Sequence, residues 1–218
     1  MYTANNIKVN KKIIPDGNKL KANKTLTGGK PKFVTIHNTP EINEAAGTTD
    51  AEQYSRATYN GNMGGVVPHY YIDKTDCWQL LNDTEVGWHA ADGATGPGNT
   101  TSVAIEIIMS ADYTANDKKA EERGAKLAAY ILNKYGLGID ALTTHKRWYP
   151  KKYCPAYILP HWDSFKKQVE TELENLSADN KKTTAKLYRV QCGAFAKREN
   201  AEKLKKELEK KGYEAVIV

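Results

Sequence analysis

The sequence predicts an α/β protein with a mixed central sheet flanked by helices, followed by a small βαβ half-module. Short runs of β-branched and aromatic residues alternate with longer segments of helical periodicity along most of the chain. A polar stretch then interrupts this alternation, and a strand, a helix and a strand follow it. We therefore expect two domains, residues 1–175 and 187–218, joined by a linker at 176–186.

Four segments of the first domain have the composition of β-strands. They are residues 33–36, 66–72, 78–81 and 102–108. The first of these runs ends at His37, and strand ends are where open sheets present reactive groups. The second and third pair as a hairpin across a turn at 73–76. The segment 92–99 is predicted as a loop from its turn residues alone.

Three segments of the first domain carry helix signals. Thr49 and Asp50 can cap a helix over 51–59. The clearest helix covers 117–135, where apolar residues fall on one face. A third amphipathic helix follows Pro160, with apolar residues spaced by three and four.

The last part of the chain repeats the pattern on a smaller scale. Residues 177–184 carry no apolar periodicity and are predicted as a linker. After them we predict a strand at 187–191, a helix at 198–211 and a strand at 213–218. These three elements make one βαβ unit.

Composition limits the classes of function. The net charge of +6 favours contact with polyanions such as an anionic cell wall, but no basic stripe interleaves with stacking aromatics as in nucleic-acid binders. No stretch approaches the roughly 18 apolar residues of a membrane helix. The N-terminus lacks the apolar core of a secretory signal, and the 3 cysteines are an odd number, which argues against a disulfide framework. We expect cytoplasmic synthesis, no nucleic-acid partner and no membrane insertion.

Two histidines and a cysteine are candidate metal ligands: His37, His145 and Cys154. Such a set gives zinc three ligands and leaves a fourth position open, which is the catalytic rather than the closed structural arrangement. Taken singly, a buried cysteine is usually a small hydrophobe and a lone histidine a satisfied polar group. The scattered spacing of the three leaves both interpretations open.

Five local motifs occur in order along the chain. They are FVTIHNT at 33–39, HYYID at 69–73, GWHAADG at 87–93, NTTSVAIEI at 99–107 and HKRWYPKKYCP at 145–155. Together they resemble the type 2 N-acetylmuramoyl-L-alanine amidase family of phage endolysins and bacterial autolysins, which is related to animal peptidoglycan-recognition proteins. The resemblance covers residues 30 to 165, approximately, and implies the fold of that family.

The resemblance implies that His37, His145 and Cys154 bind zinc and that Glu106 transfers the proton in catalysis. An acid inside an apolar strand agrees with this role, because an unpaired carboxylate there is costly. Some members carry a tyrosine immediately before the histidine of the HY motif. That position is Pro68 here, which leaves proton transfer to Glu106.

The resemblance also implies which residues surround the substrate. Lys152 matches the lysine that faces the reacting carbonyl. The interval from His145 to Cys154 is one residue longer than is usual in the family, so Lys151 is the alternative. Contacts to the substrate are assigned to His89, Trp88 and Asn38.

The implied reaction is zinc-dependent hydrolysis of the amide bond between N-acetylmuramic acid and L-Ala in bacterial peptidoglycan. Without a secretory signal, a prophage endolysin that reaches the cell wall through holin-type release is the favoured context. A host autolysin, a sporulation or germination amidase and a non-catalytic muropeptide-binding protein are the alternatives. The presence of Cys154 argues against the last of these.

The C-terminal βαβ unit resembles the first half of a SPOR domain, from 188–195 through 212–215. That family binds glycan strands that have lost their stem peptides. Its sheet resembles a ferredoxin-like arrangement of two such halves, so a single half leaves strand edges and an apolar helix face unpaired. Two copies can complete the sheet about a twofold axis, and we therefore expect a homodimer through residues 187–218.

Overall fold

The computed structural model describes residues 1–42, 47–185, 191–213 and 215–217 and, within these ranges, all side chains except those of 179–185. The chain divides into two compact units, Met1–Asn180 and Lys181–Val218. The boundary falls within the predicted linker at 176–186, but this segment is helical as far as Ala185. The linker is therefore mostly part of a helix rather than irregular chain.

Seven strands and six α-helices are present in the described part of the chain. The strands are β1 (Tyr2–Ala4), β2 (Ile7–Lys11), β3 (Phe33–Pro40), β4 (Tyr70–Ile72), β5 (Cys77–Gln79), β6 (Ser102–Met109) and β7 (Leu142–Thr144). The helices are α1 (Asp50–Tyr59), α2 (Pro97–Thr101), α3 (Ala115–Lys134), α4 (His145–Trp148), α5 (Trp162–Ala185) and α6 (Arg198–Lys210). Among the described residues, no helix combines the length and the apolar character needed to cross a membrane.

The seven strands form one sheet in the order β1-β2-β5-β4-β6-β3-β7. Strand β3 runs parallel to β6 on one side and to β7 on the other, and β4 runs parallel to β6. Strand β5 is antiparallel to β4, and β1 is antiparallel to β2. The sheet is therefore mixed, as the sequence predicted.

Side chains along β3 and β6 alternate between the two faces of the sheet. On one face, Ile36 and Ile105 pack in a core that includes residues of α3 and α5. On the other face, Ile108 packs in a second core that includes residues of α1. Because His37 and Glu106 directly follow Ile36 and Ile105, both project toward the α1 face, and the strand register pairs them side by side. The predicted arrangement of helices on a central sheet is confirmed.

Several predicted boundaries differ from the structure. Strand β3 remains paired with β6 as far as Pro40, so the prediction that the strand ends at His37 was wrong. The predicted loop at 92–99 was wrong over its last residues, since α2 begins at Pro97, whose fixed φ suits a first helical turn. The hairpin of β4 and β5 is confirmed, with strands shorter than predicted.

The predicted helices of the first domain are confirmed as α1, α3 and α5. The Thr49 side chain caps α1, and Thr114 and Asp117 form a capping box at the start of α3. Burial alone would raise the pKa of Asp117, but hydrogen bonds from Thr114 and Ser110 outweigh it and hold that pKa below its usual value. Asp117 therefore stabilises the start of α3 as a carboxylate.

We expect Asp117→Asn to lower the free energy of unfolding by about 1 to 3 kcal/mol at neutral pH, because charge-assisted hydrogen bonds are lost. The folded chain holds the pKa of Asp117 below its unfolded value, so this contribution is present above the ordinary carboxyl pKa of about 3.9. It is lost as the pH falls through the folded value. Urea unfolding at neutral and at acidic pH measures the change. The difference in free energy of unfolding between the variant and the wild type should be smaller at acidic pH. Equal losses in the exposed control Asp112→Asn would contradict this account.

In the second unit, the predicted helix at 198–211 is confirmed as α6. The predicted strand at 187–191 lies outside the described residues except for Gln191, which is not in a strand. Of the strand predicted at 213–218, the described residues 213 and 215–217 have no strand structure. Apolar side chains of this unit are exposed by 45% at Phe195, 64% at Tyr213, 74% at Val216 and 44% at Ile217.

Candidate metal centre and catalytic groups

Two histidines and a cysteine meet beside β3. His37 lies within β3, and His145 begins α4 directly after β7, which pairs in parallel with β3. The carboxyl end of β7 therefore brings His145 next to His37, with ring centroids 4.6 Å apart. The main-chain N–H of Lys146 donates to the Cys154 carbonyl at 3.0 Å, which returns Cys154 to the two histidines. All three side chains are buried, and one ligand atom of each lies within 4.8 Å of the others.

These three side chains fit a zinc ion. Both ring nitrogens of His145 are buried and neither has a partner at full hydrogen-bond geometry; the Ala90 main chain is near enough to interact with the ring, which still leaves one nitrogen for another ligand. Burial lowers the pKa of His37 well below its usual value and that of His145 to about 4, so both are neutral at physiological pH, as metal ligands must be. Two imidazoles and a thiolate are donors that zinc prefers.

The protonation of Cys154 depends on what the site holds. Burial and the Glu106 carboxylate raise the pKa of this thiol to about 11, whereas the Asn38 N–H and the Lys152 ammonium lower it. Without a cation, Cys154 is therefore a neutral thiol at physiological pH. Binding of a metal ion to this site releases a proton from the thiol.

The Glu106 carboxyl group lies beside His37 on the same face of the sheet. Its Oε1 is 3.7 Å from His37 Nδ1, and its Oε2 accepts a hydrogen bond from Thr39 Oγ1 at 2.6 Å. Burial raises the pKa of Glu106 to about 7, while the Thr39 hydroxyl and the Lys152 ammonium oppose that rise. A carboxyl group with a pKa near neutrality can both accept and donate a proton during one reaction cycle.

One lysine of the loop between His145 and Cys154 acts on the whole cluster. The positive charge of Lys152 lowers the pKa of both histidines, of Glu106 and of Cys154. Lys152 itself is exposed, so its charge acts on the buried cluster from the surface. This electrostatic effect is the reason to keep Lys152 as the candidate lysine, with Lys151 as the alternative.

Comparison with known proteins agrees with this geometry. The sequence model for N-acetylmuramoyl-L-alanine amidases matches residues 27–157, which is more than half of the chain. The chain belongs to the N-acetylmuramoyl-L-alanine amidase family. The SPOR domain model matches residues 184–218, so both predicted family resemblances are confirmed.

Relatives of this amidase-family chain include enzymes of bacteria and of phages. It is 34% identical over 135 residues to N-acetylmuramoyl-L-alanine amidase CwlH of Bacillus subtilis, covering 62% of this chain and 51% of CwlH. It is 30% identical over 149 residues to endolysin PlyTW of Staphylococcus phage Twort, covering 66% of this chain and 30% of PlyTW. The chain thus spans about half of the length of CwlH and less of PlyTW.

The first unit also resembles a solved amidase domain. The structure of the catalytic domain of XlyA, an N-acetylmuramoyl-L-alanine amidase of Bacillus subtilis, matches with a TM-score of 0.64 at 31% identity. The match covers 75% of this chain and 99% of that domain. A fold typical of amidase catalytic domains therefore holds the cluster around His37.

The residues to which we assigned substrate contacts occupy different environments in this amidase fold. His89 is only 5% exposed, and its Nδ1 lies 3.1 Å from His37 Nε2. The Asn38 amide is used within the protein: its Oδ1 accepts from the Tyr157 N–H at 2.9 Å, and its Nδ2 donates to the Ile107 carbonyl at 3.1 Å. Trp88 is half-buried and packs against the second core. Of the three, His89 is buried, whereas Trp88 and Asn38 are both partly exposed and keep some surface for a ligand.

Two residues of the candidate site were not singled out from the sequence. Thr39 donates to Glu106, and Asn99 Oδ1 accepts from the main-chain N–H groups of His89 and Ala90 at 2.9 Å each. Thr39 could have been predicted, because it stands two residues after His37 in the same strand and therefore on the same face. Asn99 gave no such signal, since its partners lie nine and ten residues away in a loop.

Proposed function

We propose that this chain hydrolyses the amide bond between N-acetylmuramic acid and the first L-Ala of the stem peptide, with zinc as its cofactor. The observation that carries this proposal is the buried set of His37, His145 and Cys154 beside Glu106 in an amidase fold. Those three residues would hold the ion. Zinc bound there supplies Lewis acidity, which makes water more acidic and polarises a carbonyl group.

Glu106 is the proton-transfer residue in this proposal. As a carboxylate, it takes a proton from the attacking water, and it then gives that proton to the L-Ala amine as the C–N bond breaks. The hydrogen bond from Thr39 fixes one carboxyl oxygen, so the other is oriented for the proton. Pro68 provides no hydroxyl at the position of the family tyrosine, and Glu106 serves both transfers.

Lys152 stabilises the oxyanion that forms at the attacked carbonyl. We expect Lys152→Ala to lower the turnover number by about 10²-fold or more, as for loss of an oxyanion donor. Lys151→Ala is the matched control because it removes the same charge from the neighbouring position, and it should retain near-normal turnover. Release of L-Ala amino groups from purified peptidoglycan measures both variants. The assignment reverses if Lys151→Ala is the slower enzyme.

A peptidoglycan digest tests the proposed reaction itself. Mass spectrometry of the soluble products should detect free L-Ala amino termini and muramic acid with an intact lactyl group. New reducing sugar ends would instead indicate cleavage of the glycan strand. Wall binding without any product would indicate a muropeptide-binding protein, and either outcome overturns the proposal.

We propose a prophage endolysin as the biological context. The resemblance to PlyTW supports a phage enzyme, and holin-type release would bring it to the cell wall. CwlH supports the alternative of a bacterial amidase, such as a host autolysin or a sporulation or germination enzyme. In either context the bacterial cell wall is the partner, and residues 1–175 are the catalytic domain.

Residues 187–218 are proposed as a wall-binding module that dimerises. The exposed apolar side chains of this unit support a second copy as the surface that covers them. Light scattering should give a dimer for the full chain and a monomer for a chain shortened to end at Asn180. A monomer in both cases contradicts dimerisation through this module. A dimer that survives the shortening places the interface elsewhere.

A further inference from the structure

The two ring nitrogens of His37 face different groups. Nδ1 lies 3.9 Å from Cys154 Sγ and 3.7 Å from Glu106 Oε1, so it points into the candidate metal centre. Nε2 points away from that centre and lies 3.1 Å from Nδ1 of His89. The two rings meet edge to face, with an interplanar angle of 87°. One nitrogen is thus placed for a metal ion and the other for a hydrogen bond.

We propose that His89 is a positioning residue, which fixes the tautomer and the ring orientation of His37 by accepting the His37 Nε2–H on its own Nδ1. A neutral imidazole carries one N–H, and a nitrogen that binds metal must be free of its proton. With the proton of His37 held on Nε2, the lone pair of Nδ1 faces Cys154. Partners of this kind set the orientation and basicity of metal-binding histidines in general.

The Asn99 side chain holds the main chain around His89 in place for this contact. Asn99 Oδ1 accepts hydrogen bonds from His89 N–H and Ala90 N–H, and Asn99 Nδ2 donates to the Gly93 carbonyl at 3.1 Å. Ala91 has a φ of 56°, in the left-handed region that a non-glycine residue rarely adopts. Asn99 therefore forms hydrogen bonds with the main chain before and after the turn at Ala91, and these bonds stabilise the loop that carries His89.

His69, the other buried histidine nearby, cannot take this role. Its Nε2 is 2.8 Å from the Glu85 carbonyl, and its Nδ1 accepts the Ala104 N–H at 3.1 Å. Both nitrogens are used, and its ring centroid is 6.1 Å from that of His89. The contact to His37 therefore belongs to His89. At 5% exposure, His89 has little surface left for the substrate.

The first test uses the metal-free full chain. Long-range ¹H–¹⁵N correlation of the histidine rings reports which nitrogen of each ring carries the proton. We expect wild-type His37 to be protonated on Nε2 and His89 to have an unprotonated Nδ1. A His37 ring protonated on Nδ1 overturns the proposal, and this reading needs no variant.

The second test measures zinc affinity by competition with a chelator. His89→Ala should weaken zinc binding by about 10- to 100-fold, the usual loss for a partner of a metal-binding histidine. His89→Asn should lose less, since an amide oxygen can accept the proton near the position of Nδ1. His161→Gln is the control, because His161 is a partly buried histidine outside the cluster, with its Nε2 2.9 Å from Glu121 Oε2. Equal affinities in wild type and His89→Ala, with circular dichroism unchanged, overturn the proposal.

The inference rests on the proposed zinc ligands, and the two can fail separately. If wild-type protein binds no zinc, the proposed function fails, whereas the tautomer of His37 is still measured in the metal-free chain. If wild type binds zinc and both His89 variants bind it equally well, the ligand assignment stands and only the role of His89 is lost.

Discussion

Glu106→Gln should keep the fold and the bound zinc but lower the turnover number by about 10² to 10⁴-fold, the usual contribution of a general acid–base group. Glutamine keeps the size of the side chain and can still accept the Thr39 hydroxyl hydrogen bond, but it cannot take up a proton from water. The structure supports this separation because Glu106 touches the cluster without being one of its three ligands.

The measurement combines turnover on purified peptidoglycan with zinc content per chain. Thr39→Val is the companion variant, because it removes the hydroxyl donor and leaves the carboxylate. Thr39→Val should lower the turnover number less than Glu106→Gln does. The acidic limb of its pH–rate profile should shift to higher pH, because the Thr39 hydrogen bond lowers the pKa of Glu106 in the wild type. Near-normal turnover by Glu106→Gln would show that another group transfers the proton.

Cys154→Ala should abolish both lysis and most zinc binding. The thiolate is the only anionic donor of the cluster, and its loss leaves two neutral imidazoles to hold a dication. Binding of zinc to wild type should also release a proton near neutral pH, because the pKa of this thiol is about 11 without a cation. Titration in weakly buffered solution detects that proton, and Cys154→Ala should release less.

A matched control is available in the same unit. Cys77 is a second buried cysteine, within β5 and the core of the opposite face, so Cys77→Ala changes packing without touching the cluster. It should keep zinc stoichiometry near one per chain, with a loss of stability only. Wild-type lysis by Cys154→Ala would refute the ligand assignment.

The fold could be predicted where local signals and tertiary structure agree. Helices α1 and α3, both predicted, directly follow Thr49 and Thr114, whose side chains accept hydrogen bonds from free N–H groups at the helix start. Strand β2 was missed because only Ile7 and Val9 are apolar within a segment rich in lysine and asparagine. It forms between the edge strand β1 and β5, and pairing with both of these strands supplies the stabilisation that its composition does not predict.

The site could be predicted in its residues but not in its geometry. The motifs named the candidate ligands and Glu106, and the structure brings those side chains together. The contact from His37 to His89 could not be read from the sequence, since it depends on how the loop after β5 returns to the sheet. Assigning His89 to the substrate groove followed from the resemblance alone.

The hydrogen bond from the Lys146 N–H to the Cys154 carbonyl has a consequence for how such proteins diversify. It clamps the two ends of the loop, so the spacing between both ligands is set at the base and not by the number of residues in between. Within the loop, Tyr149 and Tyr153 are exposed by 39% and 57%. An inserted residue can therefore bulge outward between the two clamped ends without changing how Cys154 returns to His145.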